Sequence, residues 1–287
     1  MRNELMPAAF IGHGNPMNAL ESNHHTDAWS ALGAALPRPR AVVVVSAHWY
    51  TNHTAVTAMG HPRTIHDFYG FPDALFAVSY PAPGAPDVAE ELAEVVKPTW
   101  VGQDLDSWGL DHGAWSVLVH LFPDADVPVI QLSLDAGRSY DEHLALGAAL
   151  APLRERGIFV LGSGNVVHNL GMIDPSRPTD GFGWARDFDD AAREVMTGAP
   201  GDAPGLSGRR DHHLAVPTPD HFVPLLYLAG LADAAGEGTD VLVDGYAMGS
   251  LSMTAYTLGA PQVATDGGGP QPSLPDPDRV PPEDTNT

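Results

Sequence analysis

The 287-residue chain contains no cysteine. That absence removes disulfide frameworks, thiolate zinc sites, iron–sulfur ligation and cysteine nucleophiles together, so any metal must be held by nitrogen and oxygen. Basic residues are scarce too: 14 Lys and Arg stand against 36 Asp and Glu, a formal charge of −22 with a pI near 4.7. Such a surface repels phosphate backbones, and no nucleic acid partner is expected. No stretch approaches the roughly 20 uninterrupted apolar residues that a membrane-spanning helix needs. The opening Met1-Arg2-Asn3-Glu4-Leu5-Met6 lacks the charged, apolar and cleavage regions of a secretory signal. The expectation is a cytoplasmic protein without a membrane partner. What the chain has in quantity is histidine, 14 residues, and imidazole is the usual transition-metal ligand where thiolates are missing.

Short apolar runs alternate with helix-like stretches, the pattern of a single α/β domain with a mainly parallel central sheet flanked by helices. The plainest strand is the β-branched run Ala41-Val42-Val43-Val44-Val45, continuous as expected of a strand covered on both faces. Further strands are expected at 8–11, 127–134, 158–161, 240–243 and 252–258, and helices at 87–96, 113–122, 140–155, 184–196 and 219–232. Residues 198–208, rich in Gly, Pro and Asp, read as a surface loop. The catalytic domain is expected over 1–260. From Pro261 to Thr287 the sequence is proline-rich and acidic with almost no large apolar side chain, and a disordered tail is expected because it cannot repay the entropy of ordering.

Three histidines sit just past expected strands. His13 follows the first, in Gly12-His13-Gly14-Asn15-Pro16; His48 follows the valine run, in Ser46-Ala47-His48-Trp49; His168 follows a glycine turn, in Gly162-Ser163-Gly164-Asn165-Val166-Val167-His168. Open α/β sheets place their ligand crevice beyond the carboxyl ends of the strands, so these three can converge. His221 lies in Thr218-Pro219-Asp220-His221-Phe222, where Thr218 reads as an N-cap and Pro219 as the first helical residue. Four such imidazoles meet the needs of a borderline metal ion. His112, in Gly109-Leu110-Asp111-His112-Gly113-Ala114-Trp115, opens an expected helix and is a candidate acid/base residue. His66 sits in an aromatic loop that suits either a wall for a ring-shaped substrate or core packing. His24, His25, His120, His143, His212 and His213 read as structural or exposed, and His53 and His61 carry no assignment. There is no Gly-x-Ser-x-Gly elbow, Walker-type loop or complete dinucleotide fingerprint, and carboxylate spacing singles out no pair.

Taken together, Gly12-His13-Gly14-Asn15-Pro16-Met17, Ser46-Ala47-His48-Trp49, His66-Asp67-Phe68-Tyr69-Gly70-Phe71-Pro72, Gly109 through Trp115, Gly162-Ser163-Gly164-Asn165 with His168-Asn169-Leu170, and Asp220-His221-Phe222 with Pro224-Leu225 resemble the DOPA-dioxygenase-type, LigB-like branch of the class III extradiol ring-cleavage dioxygenases. Six separated motifs agree in order, from about residue 7 to 258. The resemblance implies cleavage of a small aromatic catechol with dioxygen at one non-haem metal ion per chain, Fe2+ or Zn2+. It implies His13, His48 and His221 as metal ligands, His168 as a fourth ligand or an acid/base residue, and His112 as a second acid/base residue. Distant relatives use two histidines and a carboxylate, whereas here His221, beside Asp220, stands at the third position. Two readings compete: a zinc hydrolase that uses the same cluster to activate water, and a non-catalytic metal- or partner-binding protein on the same scaffold. The sequence assigns neither the substrate's side chain nor an oligomeric state.

Overall fold

A computed structural model describes residues 5–263. The expected tail, apart from its first three residues, lies outside the described residues. The valine run becomes the middle of β2 (Ala41–Thr51), where Val43 and Val45 point into one apolar layer and Val42 and Val44 into the other. Alternation of that kind requires cover on both faces, and helices supply it.

The remaining strands are β1 (Ala8–Gly12), β3 (Ala55–Thr57), β4 (Gly102–Asp104), β5 (Val129–Asp135), β6 (Ile158–Gly164), β7 (Asp240–Val243), β8 (Tyr246–Ala247), β9 (Leu251–Ser252) and β10 (Ala255–Leu258). Eight of them form one sheet in the order β4-β3-β5-β2-β6-β1-β10-β7, while β8 and β9 pair separately. The central block β5-β2-β6-β1 is parallel throughout. Antiparallel pairs appear towards the margins, where β10 joins β1 and β7, and where β3 joins β5.

Two helices, α1 (His24–Ala35) and α4 (His112–Leu121), cover one face with Trp29, Leu32, Trp115 and Leu118. The short α2 (Asp73–Phe76) lies on the same side through Leu75. The other face carries α3 (Pro86–Val95), α5 (Tyr140–Ala149), α6 (Ala151–Glu155), α7 (Gly183–Gly198) and α9 (Val223–Ala235), with Leu146, Phe188 and Leu226 in the layer between. A four-residue α8 (His212–Ala215) precedes the turn that leads into α9.

Four of the expected elements differ from the sequence reading in kind, in continuity or by more than two residues at the start. The helix expected over 140–155 divides at Leu150, because Pro152 has no N–H to continue the ladder and instead sits in the first turn of α6. The strand expected at 252–258 divides into β9 and β10. Residues 200–208 are not an open loop but a 3-10 helix, whose Ala203, Pro204 and Leu206 are buried beneath α7 and α9. And α9 begins at Val223, with Pro224 in its first turn, so His221 occupies the turn before the helix rather than the helix itself.

Helices α5 and α9 approach closely because both carry glycine at the crossing: a Cβ on Gly230 would lie 2.1 Å from the Leu144 carbonyl oxygen, and one on Gly147 would lie 2.6 Å from Tyr227 Cα. Gly230→Ala is therefore expected to destabilise by about 1–3 kcal/mol through overpacking, and the lowered midpoint of thermal unfolding, followed by circular dichroism, checks it.

Candidate metal centre

Five imidazoles gather where the carboxyl ends of β1, β2 and β6 stand side by side. His13 is the first residue after β1, its backbone N–H donating to the Gly164 carbonyl at 3.0 Å. His48 lies within β2, where the register against β5 shifts between Val45 and Tyr50, and the irregularity frees the side chain from the regular face alternation. His112 begins α4 behind Asp111, an N-cap that accepts from Ala114 N at 3.1 Å. His168 follows β6 and pairs with Leu251 through an isolated antiparallel bridge. His221 is held by its own carbonyl, which accepts from Asn165 N at 2.9 Å just past the end of β6.

The ring nitrogens are oriented from outside. Ser163 has one hydroxyl proton, and it donates that proton to the Gly113 carbonyl at 2.5 Å. Its contact with His13 Nδ1 at 2.9 Å must therefore be accepted from Nδ1–H, which leaves the Nε2 of neutral His13 with a bare lone pair. His221 Nδ1 likewise donates to the Asp220 carboxylate in a short contact. Asp67 Oδ2 stands 3.0 Å from His112 Nδ1 and 3.6 Å from His48 Nδ1, while Asp67 Oδ1 accepts from the His112 backbone N–H at 2.9 Å. The contact with His112 Nδ1 is an ion-pair approach whose angle falls outside hydrogen-bond geometry. A carboxylate on the Nδ1 side favours a proton there, so the opposite nitrogens present lone pairs inward.

His13 Nε2 and His48 Nε2 stand 3.3 Å apart. Two nitrogens each about 2.0–2.1 Å from one ion at a tetrahedral angle would be about 3.3–3.4 Å apart, so the pair is spaced as ligands are. Among the described residues one group of three, His13, His48 and His112, has candidate donor atoms all within 4.8 Å of one another. His221 faces the same cluster from the other side, its ring 5.0 Å from that of His48 and 5.3 Å from that of His13. His168 stacks on His221 at 3.5 Å with the ring planes 3° apart. Buried imidazoles that face one another, with the outer nitrogens of His13 and His221 hydrogen-bonded and a carboxylate beside those of His48 and His112, are a donor set that fits a divalent transition metal.

Charge within the cluster is divided. Burial, reinforced by the neighbouring histidines, holds His13, His48 and His168 well below the ordinary imidazole range; Asp67 opposes the shift at His48, and Asp220 at His168. Burial also acts against His112, but the charge and contact of Asp67, with help from Asp111, outweigh it and raise this one histidine. Burial would push Asp67 and Asp220 up, yet their imidazole partners win and hold both carboxyls below the usual range. Asp111 goes the other way, pushed up to about 6 by burial and by Asp67 despite the Ser46 hydroxyl that donates to it at 2.7 Å. Close packing matters here as well: a Cβ on Gly113 would fall 2.5 Å from Ser46 Oγ and 2.8 Å from His48 Cδ2.

A pocket of about 580 Å³ opens beside the cluster, lined by His48, His168 and His221 together with Tyr50, Asp67 and Asp220 among others. The four imidazoles expected to meet, His13, His48, His168 and His221, do gather, and His112 joins them. His66 stays outside the pocket lining, its Nε2–H donating to the Val78 carbonyl at 2.9 Å and its ring packing on Phe68 and Trp115. His143 contacts the Tyr227 hydroxyl at 3.2 Å, His120 the Asn18 carbonyl at 2.7 Å, and His53 and His61 are exposed. Sequence reasoning assigned no role to Asp67 or Ser163, although both lie inside motifs it singled out. Nothing in their spacing reveals that each would meet a histidine from a different strand.

Removing the outer partner of His13 is expected to loosen the metal without unfolding the chain. Ser163→Ala should weaken affinity roughly 10–100-fold, measured by competition with a chromophoric chelator. A second expectation concerns pH. His13, His48 and His168 stay neutral in the fold where an unfolded chain would take up protons below about 6.5, and burial also draws His25 down to about 3 and His143 to about 4. These groups stabilise above the unfolded value, and the contribution is lost as pH falls; the raised His112 and Asp111, the latter pushed up to about 6, run the opposite way and are outnumbered. Thermal unfolding of the metal-free protein should show a flat midpoint above about pH 7 and a steady fall from about 6.5 towards 5.

Residues 8–258 match the family described as the catalytic LigB subunit of aromatic ring-opening dioxygenase. The chain is 46% identical over 263 residues to a 4,5-DOPA dioxygenase extradiol of Escherichia coli (strain K12), covering 90% of this chain and 97% of that protein. It is 34% identical over 259 residues to the protein of the same name from Beta vulgaris, covering 86% and 94%. The crystal structure of an uncharacterized Escherichia coli K12 protein superposes with a TM-score of 0.78 at 42% identity, covering 88% of this chain and 99% of that one. With the histidine cluster at the strand ends and the match running almost the full length of the described fold, the chain belongs to the LigB family of aromatic ring-opening dioxygenases, as an extradiol ring-cleaving enzyme.

Proposed function

We propose that the enzyme opens the ring of a DOPA-like catechol beside, rather than between, its two hydroxyls, using dioxygen and one ferrous ion. The observation that carries this reading is the convergence of buried imidazoles, lone pairs inward, on one side of a pocket of about 580 Å³. In the overall change one ring carbon–carbon bond and the oxygen–oxygen bond break. Both oxygen atoms enter the product, which carries a new carboxylate and a new aldehyde.

His13, His48 and His221 would hold the ion. His13 and His221 have their outer nitrogens bonded to Ser163 and Asp220, Asp67 stands 3.6 Å from that of His48, and the shifts at His13 and His48 keep their lone pairs available. A ferrous ion in that position supplies the electron exchange that dioxygen needs to react with an aromatic ring, and zinc, without redox chemistry, does not. The imidazole set by itself accommodates either metal.

His168 is better suited to moving a proton than to being a fourth ligand. Imidazole lone pairs lie in the ring plane, and two parallel planes 3.5 Å apart send those of His168 and His221 along separate lines rather than to one point. His168 also lines the pocket, where it can accept a proton from a catechol hydroxyl. His112 is the complementary group: Asp67 makes it the cluster member most ready to carry a proton, and hence the weakest competitor for a cation and the best placed to return a proton to a leaving oxygen. Asp67 acts through it, as the orienting carboxylate of an imidazole.

Protein loaded anaerobically with Fe2+ and then given DOPA in air should consume one dioxygen per catechol and turn yellow, while the Zn2+-loaded form stays silent. Oxygen uptake with neither metal would sink the reading in favour of hydrolysis or binding. His168→Asn and His112→Asn should each lower kcat by about 10²–10⁴-fold with iron content retained, whereas His13→Ala should lose the iron itself.

A further inference from the structure

The pocket beside the histidine cluster has a pronounced charge character that the ring-opening chemistry does not require. Among the described residues, its charged side chains apart from imidazoles are Asp67 and Asp220, and no lysine or arginine lines it. Both carboxylates hold a histidine on one side, at His112 and His221, yet each keeps part of its side chain accessible, 18% and 22%. The rest of the lining is neutral, including Leu170, Pro217, Thr218 and the half-exposed Tyr50. Among the arginines near the lining in sequence, Arg63 donates to the Ser107 carbonyl at 2.5 Å, Arg177 pairs with Asp180 at 2.9 Å and Arg209 with Asp211 at 2.9 Å. A carboxylate on a ligand is ordinarily met by a lysine, an arginine or a cluster of backbone N–H groups, and among the described residues the lining offers no such cation. An ammonium entering the same space meets two acidic side chains instead.

Resting on the catechol-cleaving reading above, we propose that this pocket selects among catechols by the charge of the side chain. It takes those bearing an ammonium group and turns away those whose side chain is an anion. The catechol hydroxyls would engage the histidine end, and the side chain would occupy the volume bordered by Asp220, Tyr50 and Leu170. Discrimination of this kind rests as much on the penalty for an unpaired anion beside Asp67 and Asp220 as on attraction of the cation. Two charges about 6 Å apart in a partly solvated site, at an effective dielectric near 20–40, differ in binding by roughly tenfold or more between the attractive and repulsive cases.

A matched series with the same ring and a similar spacer isolates the effect: dopamine, DOPA and 3,4-dihydroxyphenylpropionate. Dissociation constants come from calorimetry on the iron-loaded enzyme without oxygen, and kcat/KM from oxygen uptake. Dopamine should bind tightest, DOPA next and the propionate weakest, the extremes roughly tenfold or more apart, with the gap narrowing as salt is raised. Leu170→Lys, which supplies the missing cation, should shrink or invert the order; Thr218→Lys serves the same purpose if the first variant fails to fold by circular dichroism. A propionate that binds as tightly as dopamine, or an order unmoved by the added lysine, overturns the proposal. If the binding order holds but no member of the series consumes oxygen, charge selection stands and the ring-opening reading falls.

Discussion

Imidazoles cannot be brought within ligand distance of one another in a protein interior unless something decides which nitrogen of each ring carries the proton. Here the decision is made outside the cluster. Ser163, with its only proton committed to the Gly113 carbonyl, accepts from His13; Asp220 accepts from His221; and Asp67 stands beside the outer nitrogens of His48 and His112. Wrong tautomers would set N–H against N–H at the 3.3 Å separation of His13 and His48, or leave two outer nitrogens without partners in a buried site. The cluster and its ring of hydrogen-bond acceptors are therefore one arrangement.

The sheet makes that arrangement possible. Strands β1, β6 and β2 are neighbours, although β6 comes more than a hundred residues after β2 in the chain. Parallel pairing brings their carboxyl ends to one edge, and the residues just beyond, His13, His48 and the segment from Gly164 to His168, face a common space. Helix α4 then delivers His112 from above through the N-cap at Asp111, whose buried carboxyl also ties Ser46 of β2 to the helix. The absence of side chains at Gly113 and Gly164 lets α4 and the His221 turn come within van der Waals distance of the strands, since a Cβ at either would collide with them.

Much of this was legible in the sequence because strand ends carry a local signal. An apolar β-branched run followed by a small polar residue and a histidine marks both the element and the position of the side chain relative to the ligand edge. His13, His48 and His168 were accessible in that way, and the separated motifs linked them to a family. The outer partners were not. Asp67 and Ser163 matter because of where the chain carries them, to His112 and His13 across 45 and 150 residues, and no period or spacing encodes such a meeting. The start of α9 was misjudged for a more local reason. Pro219 and Pro224 both suit a first helical turn, and it is Pro224 that occupies it, leaving His221 in a turn whose carbonyl can bond Asn165. The segment 200–208 misled for a similar reason, because prolines and glycines that usually mark open loops here build a 3-10 turn seated on apolar cover.

Strand β10 has a consequence for how the protein comes into being. It is the last strand of the described fold, yet it pairs directly with β1, the first, and with it closes the side of the sheet from which His13 emerges. Until residues 255–258 have joined the sheet, β1 lacks its partner on that side, and the cluster residue that follows it, His13, leaves a strand paired only with β6. The edge of β1 away from β6 is thus covered only by a pairing that joins residues about 250 positions apart, one of the longest-range contacts on which the fold depends.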